Sequence, residues 1–470
     1  TTFYMLGMPL NLALVVPGTL LMALTYAGYM LLAQQILGER HKAVAVAALL
    51  FFFNGGLGFL YDFDLAFTDH FARVKEIFTG YYKTPANQPD FNLRFSNVIA
   101  DLMIPQRALM GGWAMGIPAL YLLISSSREK SMRQTVLLAL WAGALPLVHT
   151  HTFLALGLFS GGYILGRLIV QEDGRLDILC RASVYLGIVL VLALPQVLGN
   201  AVRQTLEGGS LRFQFNWVNN SGGRGFKDGY FWFWVKNAGL PFILVVCACL
   251  NAGRRGHLDL VLGMTAIYAV AETILFQPNE YDNNKLFYIW FMFAMILAAD
   301  YGSILMRRLE GLRGRALLCG LFIWASVFSG ALSIAREAVS GYQLFSANAV
   351  KAGAWIEENT DHDDVFLTGQ QHINPVCSLA GRQIICGSDL YVFFHGLDYS
   401  QQSADCKRFF EDPADNADVL DTYDVHYIYV SDYERAEFDV DTAALEAAYP
   451  IVYENSDVRI YDAKGRVETP

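Results

Sequence analysis

A chain of 470 residues has room for two or three soluble domains, but 54% of it is hydrophobic, 14% aromatic and only 17% charged, with a mean hydropathy of +0.32. That balance excludes a disordered chain and argues against a water-soluble one, in which about a quarter of residues are charged. The net charge of −10 is unevenly spread: from Arg336 onward 9 Lys/Arg face 25 Asp/Glu, a net of −16, whereas the rest carries 25 against 19, a net of +6.

The mildly basic part holds about ten apolar stretches near the roughly 17–25 residues that cross a bilayer as a helix. They fall at 11–33, 43–61, 108–125, 134–150, 152–170, 181–199, 237–252, 258–276, 286–305 and 316–334. Runs such as Leu49-Leu50-Phe51-Phe52-Phe53 are apolar on every side, where a soluble amphipathic helix would show one stripe. The sequence therefore predicts a polytopic α-helical membrane protein, with a helical domain over 1–335 and a soluble α/β domain over 336–470.

Alternate connections are basic: Arg40 and Lys42; Arg128, Lys130 and Arg133; Arg175 and Arg181; Arg254 and Arg255; Arg307, Arg308, Arg313 and Arg315. The short connections between them hold almost no positive charge. Lys and Arg collect on the cytoplasmic side, so the N-terminus, the loops 62–107 and 200–236 and the acidic tail are expected outside, across a plasma (inner) membrane. The chain starts at Thr1 with no visible signal peptide. An outside start then predicts at least one further span upstream.

Segment 62–107 mixes polar and aromatic residues, as helices lying on the outer leaflet do. Segment 200–236 carries Ser221-Gly222-Gly223-Arg224-Gly225 and then Phe231-Trp232-Phe233-Trp234, read as a flexible loop followed by an interfacial aromatic belt. The glycines are not a nucleotide loop, since no strand precedes them and no Lys-Ser/Thr follows. In the tail, helices are predicted at 349–358, 400–411, 414–422 and 441–448, with strands at 365–368, 383–386, 425–430, 450–454 and 458–462. It lacks a nucleophile elbow, a P-loop and a dinucleotide fingerprint, which favours recognition or structure over catalysis. Cys377, Cys386 and Cys406 are expected outside, where a disulfide could persist, but an odd count leaves the pairing open. No spacing reads as a zinc site.

Ionisable residues at the outer ends of spans are the strongest chemical signal, because a bilayer makes them costly. Asp62, Asp64, Asp69 and His70 follow a span, and a carboxylate there could act as a general base or hold a divalent cation such as Mg or Mn. The structural alternative is a solvated helix start. Arg107, after Pro105-Gln106, could grip a phosphate or merely snorkel to headgroups. His149-Thr150-His151 fill a turn almost too short to leave the membrane, fit for a metal or a pyrophosphate, or else plain turn residues. Gln277 to Lys285 packs Glu280, Asp282, three Asn and Lys285 into nine residues, a polar site or a capped loop. Lys236 could add a further charge to it.

With many spans, an Asp-bearing amphipathic first outer loop and a soluble α/β tail outside, the chain resembles the GT-C superfamily of polytopic membrane glycosyltransferases. Trp355-Ile356-Glu357-Glu358-Asn359-Thr360, Ala380-Gly381-Arg382 and Tyr427-Ile428-Tyr429-Val430 resemble tails in its poorly characterised prokaryotic branch. The resemblance implies transfer of a sugar from a polyprenyl-phosphate donor to an acceptor glycan, lipid or protein on the extracytoplasmic face, with inversion. It implies Asp62, Asp64 or Asp69 as base, and Arg107, Lys236 and Lys285 as phosphate ligands. One departure stands out: in the family the base follows the first span, whereas these aspartates follow at least two. The base could therefore precede Thr1.

Two other classes stay open. A secondary transporter or lipid-linked-saccharide flippase would place ionisable groups at mid-membrane within an internal repeat. A non-catalytic scaffold would only display the tail. Nucleic acid is not an expected partner, since a tail at −16 repels phosphates.

Overall fold

The computed structural model describes residues 6–63, 72–79, 83–171, 174–202 and 211–465. It divides into a helical unit, Thr1–Leu206 with Ser210–Ser340, and a second unit containing Gly341–Pro470. Helix Arg315–Val339 runs through the expected boundary at 335/336, which moves the division to Ser340.

Among the described residues six helices are long and apolar enough to cross a membrane: Leu12–Leu37, Arg107–Arg128, Thr150–Val170, Arg175–Gly199, Glu280–Arg308 and Arg315–Val339; the bent pair Tyr230–Ala238 and Pro241–Leu250 makes a seventh if it is one span. The other four of the ten expected apolar runs form shorter helices. The apolar runs at 43–61, 134–150, 237–252 and 258–276 form helices of only 12, 13, 10 and 16 residues: His41–Phe52, Met132–Ala144, Pro241–Leu250 and Leu258–Thr273. At 1.5 Å per residue, the first of these covers about 18 Å of a core about 30 Å thick. Each has a visible terminator. Helix His41–Phe52 stops before Asn54-Gly55-Gly56, and Met132–Ala144 passes into a 3₁₀ turn at Leu145–Leu147 that contains Pro146. Tyr230–Ala238 and Pro241–Leu250 meet at a bend of 119° across Gly239, and Leu258–Thr273 ends in the two-residue strand Ile274–Leu275.

The last part of the helical core is the helix Asn284–Arg308, in which every residue from Leu286 to Asp300 is buried. Its lack of a polar face reflects a central position among other helices. Phe51, Phe95, Trp113, Tyr288 and Phe291 interlock around it. The outer helices keep apolar side chains exposed, including Leu20, Leu24 and Leu31, Leu186, Leu190 and Val191, and Leu317, Leu318 and Leu321. Such surfaces suit hydrocarbon rather than water. The chain is a multi-pass membrane protein.

The helices are ordered end to end by specific contacts. Arg128 donates to the Gln35 carbonyl at 2.7 Å, while Gly18 lies beside Arg107, so helices Leu10–Leu37 and Arg107–Arg128 run parallel. Arg181 reaches the Ser126 carbonyl at 2.6 Å. Asp300 pairs with Arg40, with Arg255 at 2.6 Å and with His257 at 3.5 Å. The basic connections thus gather at one end of the unit, away from the starts of Arg107–Arg128, Thr150–Val170 and Asn284–Arg308.

The second unit is built on a five-stranded mixed sheet. Its strands are β1 (Val365–Leu367), β2 (Gln383–Ile384), β3 (Val425–Val430), β4 (Ile451–Glu454) and β5 (Arg459–Asp462), in the order β2-β1-β3-β5-β4. β1 is parallel to β2 and β3, whereas β5 is antiparallel to β3 and β4. One face packs Phe409, Phe410 and Leu445, and the other Ala352 and Ile356 of helix Ala347–Asn359. Cys377, Cys386 and Cys406 are all free thiols, the first exposed and the other two buried.

Candidate functional site

The site forms at the end of the helical unit opposite Asp300. Helix Thr150–Val170 starts at His149, whose backbone is extended and whose Nδ1 accepts the Thr152 N–H at 3.3 Å. The Thr152 hydroxyl lies 2.8 Å from the same nitrogen. Because Nδ1 must accept, the neutral ring carries its proton on Nε2, which remains a donor. Burial pushes the His149 pKa down to about 4, and the nearby Lys285 ammonium adds to the effect.

Two glycines seat this turn. A Cβ at Gly112 would lie 2.5 Å from the His149 Cβ, and one at Gly116 would lie 2.4 Å from the Thr152 Cγ2. Gly112-Trp113-Ala114-Met115-Gly116 is the small-xxx-small spacing that lets two membrane helices approach closely. His151 is buried, with its ring centroid 5.6 Å from that of His149.

Across from the imidazoles, Asn279 accepts the Tyr281 N–H at 3.1 Å and starts a 3₁₀ turn, Glu280–Asn283, which leads into Asn284–Arg308. Lys285, in the first turn of that helix, pairs with Asp282 at 2.9 Å, and both are partly exposed. Its charge acts on both His149 and His151. Lys285, with its partner Asp282, thus lies within electrostatic reach of both imidazoles. Arg107 is exposed at the same end, five residues and about 7.5 Å of helix axis before Gly112. It stands about 140° round the helix from Gly112, on the side of Gly18, so it flanks these residues and does not face them.

The other expected residues have different roles. Lys236 is buried, and its Nζ donates to the Phe91 carbonyl at 2.5 Å and pairs with Asp228 at 2.6 Å. Asp228 also accepts from Asn92 at 2.7 Å. Lys236, expected as a phosphate ligand, is engaged in the structure in holding two outer segments together. Glu280 pairs with Arg212 at 3.3 Å and accepts the Gly222 N–H at 2.8 Å, pinning the glycine-rich loop. Asp62 is buried and accepts from Gln88 at 2.8 Å. Burial raises its pKa to about 7 against the opposing influence of Gln88 and Arg73. Asp64, Asp69 and His70 lie outside the described residues.

Asp101 is a carboxylate that the sequence analysis passed over. It sits in a single π-helical turn, Val98–Met103, directly before Arg107–Arg128, a geometry often found at functional sites. Asn97 caps that turn and donates its own N–H to Asp101 Oδ2 at 2.9 Å. Asn97 also anchors to the Phe52 and Asn54 carbonyls at 3.0 and 2.7 Å. Burial pushes the Asp101 pKa up to about 7, with the Glu337 carboxylate adding to the rise and Arg336 opposing it. Tyr281, hydrogen-bonded to Ser96, is close enough to feel its charge and adjoins Asp282 in sequence. A lone acid in the run Val98-Ile99-Ala100-Asp101-Leu102-Met103-Ile104 was the available signal.

Glu272 was also passed over. It is buried and accepts from Trp234 at 2.6 Å, Asn216 at 3.2 Å and Tyr230 at 3.3 Å, a saturated structural carboxylate. Among the described residues no group of three or more His, Cys, Asp or Glu could hold a metal ion; Asp64, Asp69 and His70, considered for a divalent cation from sequence, lie outside them.

No family model and no curated relative matches the chain. Among solved structures it is similar to the Archaeoglobus fulgidus oligosaccharyltransferase tethered with an acceptor peptide containing the NVT sequon, at 13% identity and a TM-score of 0.40. The match covers 95% of this chain and 62% of that one, so the chain spans less than two thirds of its length. A likeness of that degree assigns neither family nor activity.

Proposed function

We propose that the chain is a GT-C-type glycosyltransferase that moves a sugar from a polyprenyl-phosphate donor to an acceptor on the extracytoplasmic face of the plasma membrane. The observation that carries this is Lys285, paired with Asp282 beside a neutral imidazole, at one rim of helices whose outer faces are apolar. A prenyl tail would lie against those faces while its phosphate meets an ammonium and the His149 Nε2–H. The sidedness rests on the basic connections gathering at the opposite end.

In this reaction Asp101 takes the proton from the acceptor group, the acceptor attacks the anomeric carbon, and the bond from that carbon to the phosphate oxygen breaks. Lys285 and His149 offset the charge left on the departing polyprenyl phosphate. A single base with in-line attack inverts the anomeric centre, by analogy with glycoside hydrolysis. Asp62, also held near pH 7, is the second candidate base.

The test is transfer from a radiolabelled polyprenyl-phosphate sugar by the protein in lipid nanodiscs, with release of polyprenyl phosphate measured alongside. Stoichiometric release and transfer, both lost in Asp101→Asn, support the proposal. Movement of an intact lipid-linked sugar across proteoliposomes, with no bond cleaved, would replace it with the flippase.

A further inference from the structure

The Gly341–Pro470 unit holds a cleft of about 620 Å³ whose lining comes entirely from that unit. It opens beside the carboxyl ends of the parallel strands. Gln370 follows β1, and Phe438 follows the short helix Asp432–Glu437 that comes after β3. The chain runs from β1 to β2 on one side and then to β3 on the other, which makes this the switch point where open α/β sheets take ligands. The switch point itself is filled from within. Glu434 is fully buried and accepts the N–H groups of Gly369 at 2.9 Å and Ser431 at 2.8 Å. A ligand is therefore displaced to the adjoining cleft.

The walls of the cleft identify the chemistry. Phe393 and Leu397 line it with 53% and 58% of their surface exposed, an apolar platform that neighbouring protein leaves uncovered. The lining also carries hydroxyl, amide and carboxylate groups of Ser400, Ser403, Gln370, Asp398 and Glu437. Gln370 is fixed in orientation, its Oε1 accepting the Ser403 hydroxyl at 2.6 Å and its Nε2 donating to the Gly387 carbonyl at 3.2 Å. Two lining carboxylates outweigh the one ammonium, that of Lys407, which is itself drawn to Glu411 at 3.8 Å. An aromatic face next to many acceptors and few donors suits a ring with an apolar face and a rim of hydroxyl donors. The surplus of carboxylate disfavours uronates and phosphates. The volume lies in the range of small-molecule sites.

From this we infer that the cleft binds a neutral saccharide, as the acceptor's docking segment. The binding stands on the cleft alone. Only the word acceptor rests on the glycosyltransferase proposal.

The experiment uses the full chain in amphipol, since maltoside detergents carry sugars themselves. Maltose, cellobiose, mannobiose and chitobiose are titrated by calorimetry and saturation-transfer NMR, beside a glucuronate-containing disaccharide and a hexapeptide library. We expect at least one neutral disaccharide to bind with a Kd of about 1 mM or tighter, and to weaken about tenfold or more in Phe393→Ala and Glu437→Gln. Both side chains are largely exposed, so the thermal midpoint should not move, and it is measured to establish that. The inference is overturned if no neutral disaccharide binds, if both variants bind as the parent does, or if only peptides bind in a Phe393-dependent way. Sugar binding without transfer sinks the enzyme and leaves the cleft, whereas transfer without sugar binding does the reverse.

Discussion

The two ends of the helical unit spend their charges differently. At one end Asp300 is shared by Arg40, Arg255 and His257, while Arg128 and Arg181 cap the carbonyls of Gln35 and Ser126. Each of these charges closes a helix end or crosslinks two helices. At the other end Asp62 and Asp101 make no ion pair among the described residues, and burial holds both near pH 7, while His149 is kept neutral. An acid poised near neutrality costs stability and suits proton transfer, whereas one buttressed by two guanidiniums does neither. The first end is built for cohesion and the second for chemistry.

The sharpest way to break that contrast is Asp101→Asn, which keeps the shape that Asn97 binds. Transfer should fall about 10²–10⁴-fold, the worth of a positioned base. The parent rate should rise with pH through about 7 as Asp101 ionises, and the variant should lose that limb. Stability moves the opposite way. The folded pKa lies above the unfolded value of about 3.9, so between pH 4 and 7 the unfolded chain binds fewer protons. Stability therefore declines across that window and levels above it, a slope that denaturant titrations should find flattened in the variant. An unchanged rate limb would move the base to Asp62.

Asp300→Ala tests the other end. It strands Arg40 and Arg255, whose side chains are about one-third exposed, so the loss should be about 2–3 kcal/mol rather than the larger figure for fully buried pairs. Thermal unfolding should reveal it, with transfer per folded molecule unchanged. Transfer lost at full stability would erase the distinction between the ends. A smaller effect is expected for Lys285→Ala, a loss of about tenfold in kcat/KM carried mainly by kcat, which reports charge offset on the departing phosphate.

Parts of this contrast were legible in the sequence. Hydropathy located the long helices, and strand alternation placed Val425–Val430 where β3 is found, because in both cases the apolar period is set by the structure that buries it. The basic connections gathered as their periodic placement implied. Hydropathy could not tell a full span from a short or bent helix, because Asn54-Gly55-Gly56, Pro146 and Gly239 interrupt apolar runs without lowering their average. Nor did charge alone separate Lys285 from Lys236. Both lie beside aromatic helices, and only the fold brings Asp228, distant from Phe91 in sequence, onto Lys236. The acid Asp101 was visible as an interruption of an apolar run, but its π-turn was not.

The smallest effect expected comes from one methyl group. Gly112→Ala puts a Cβ 2.5 Å from the His149 Cβ and 2.9 Å from the Thr152 hydroxyl, atoms fixed by the start of helix Thr150–Val170. The two helices must part by about 1 Å, at about 1–3 kcal/mol. Gly157→Ala, in helix Thr150–Val170, meets nothing within 4 Å and should be neutral or slightly stabilising, since alanine is the better helix former. The pair separates packing from chemistry. If His149 must hold its Nε2–H at a set height above Lys285, Gly112→Ala should lower transfer severalfold beyond its effect on stability, while Gly157→Ala leaves it alone. Equal behaviour of the two variants would show that the imidazole tolerates displacement, and that Lys285 alone meets the phosphate.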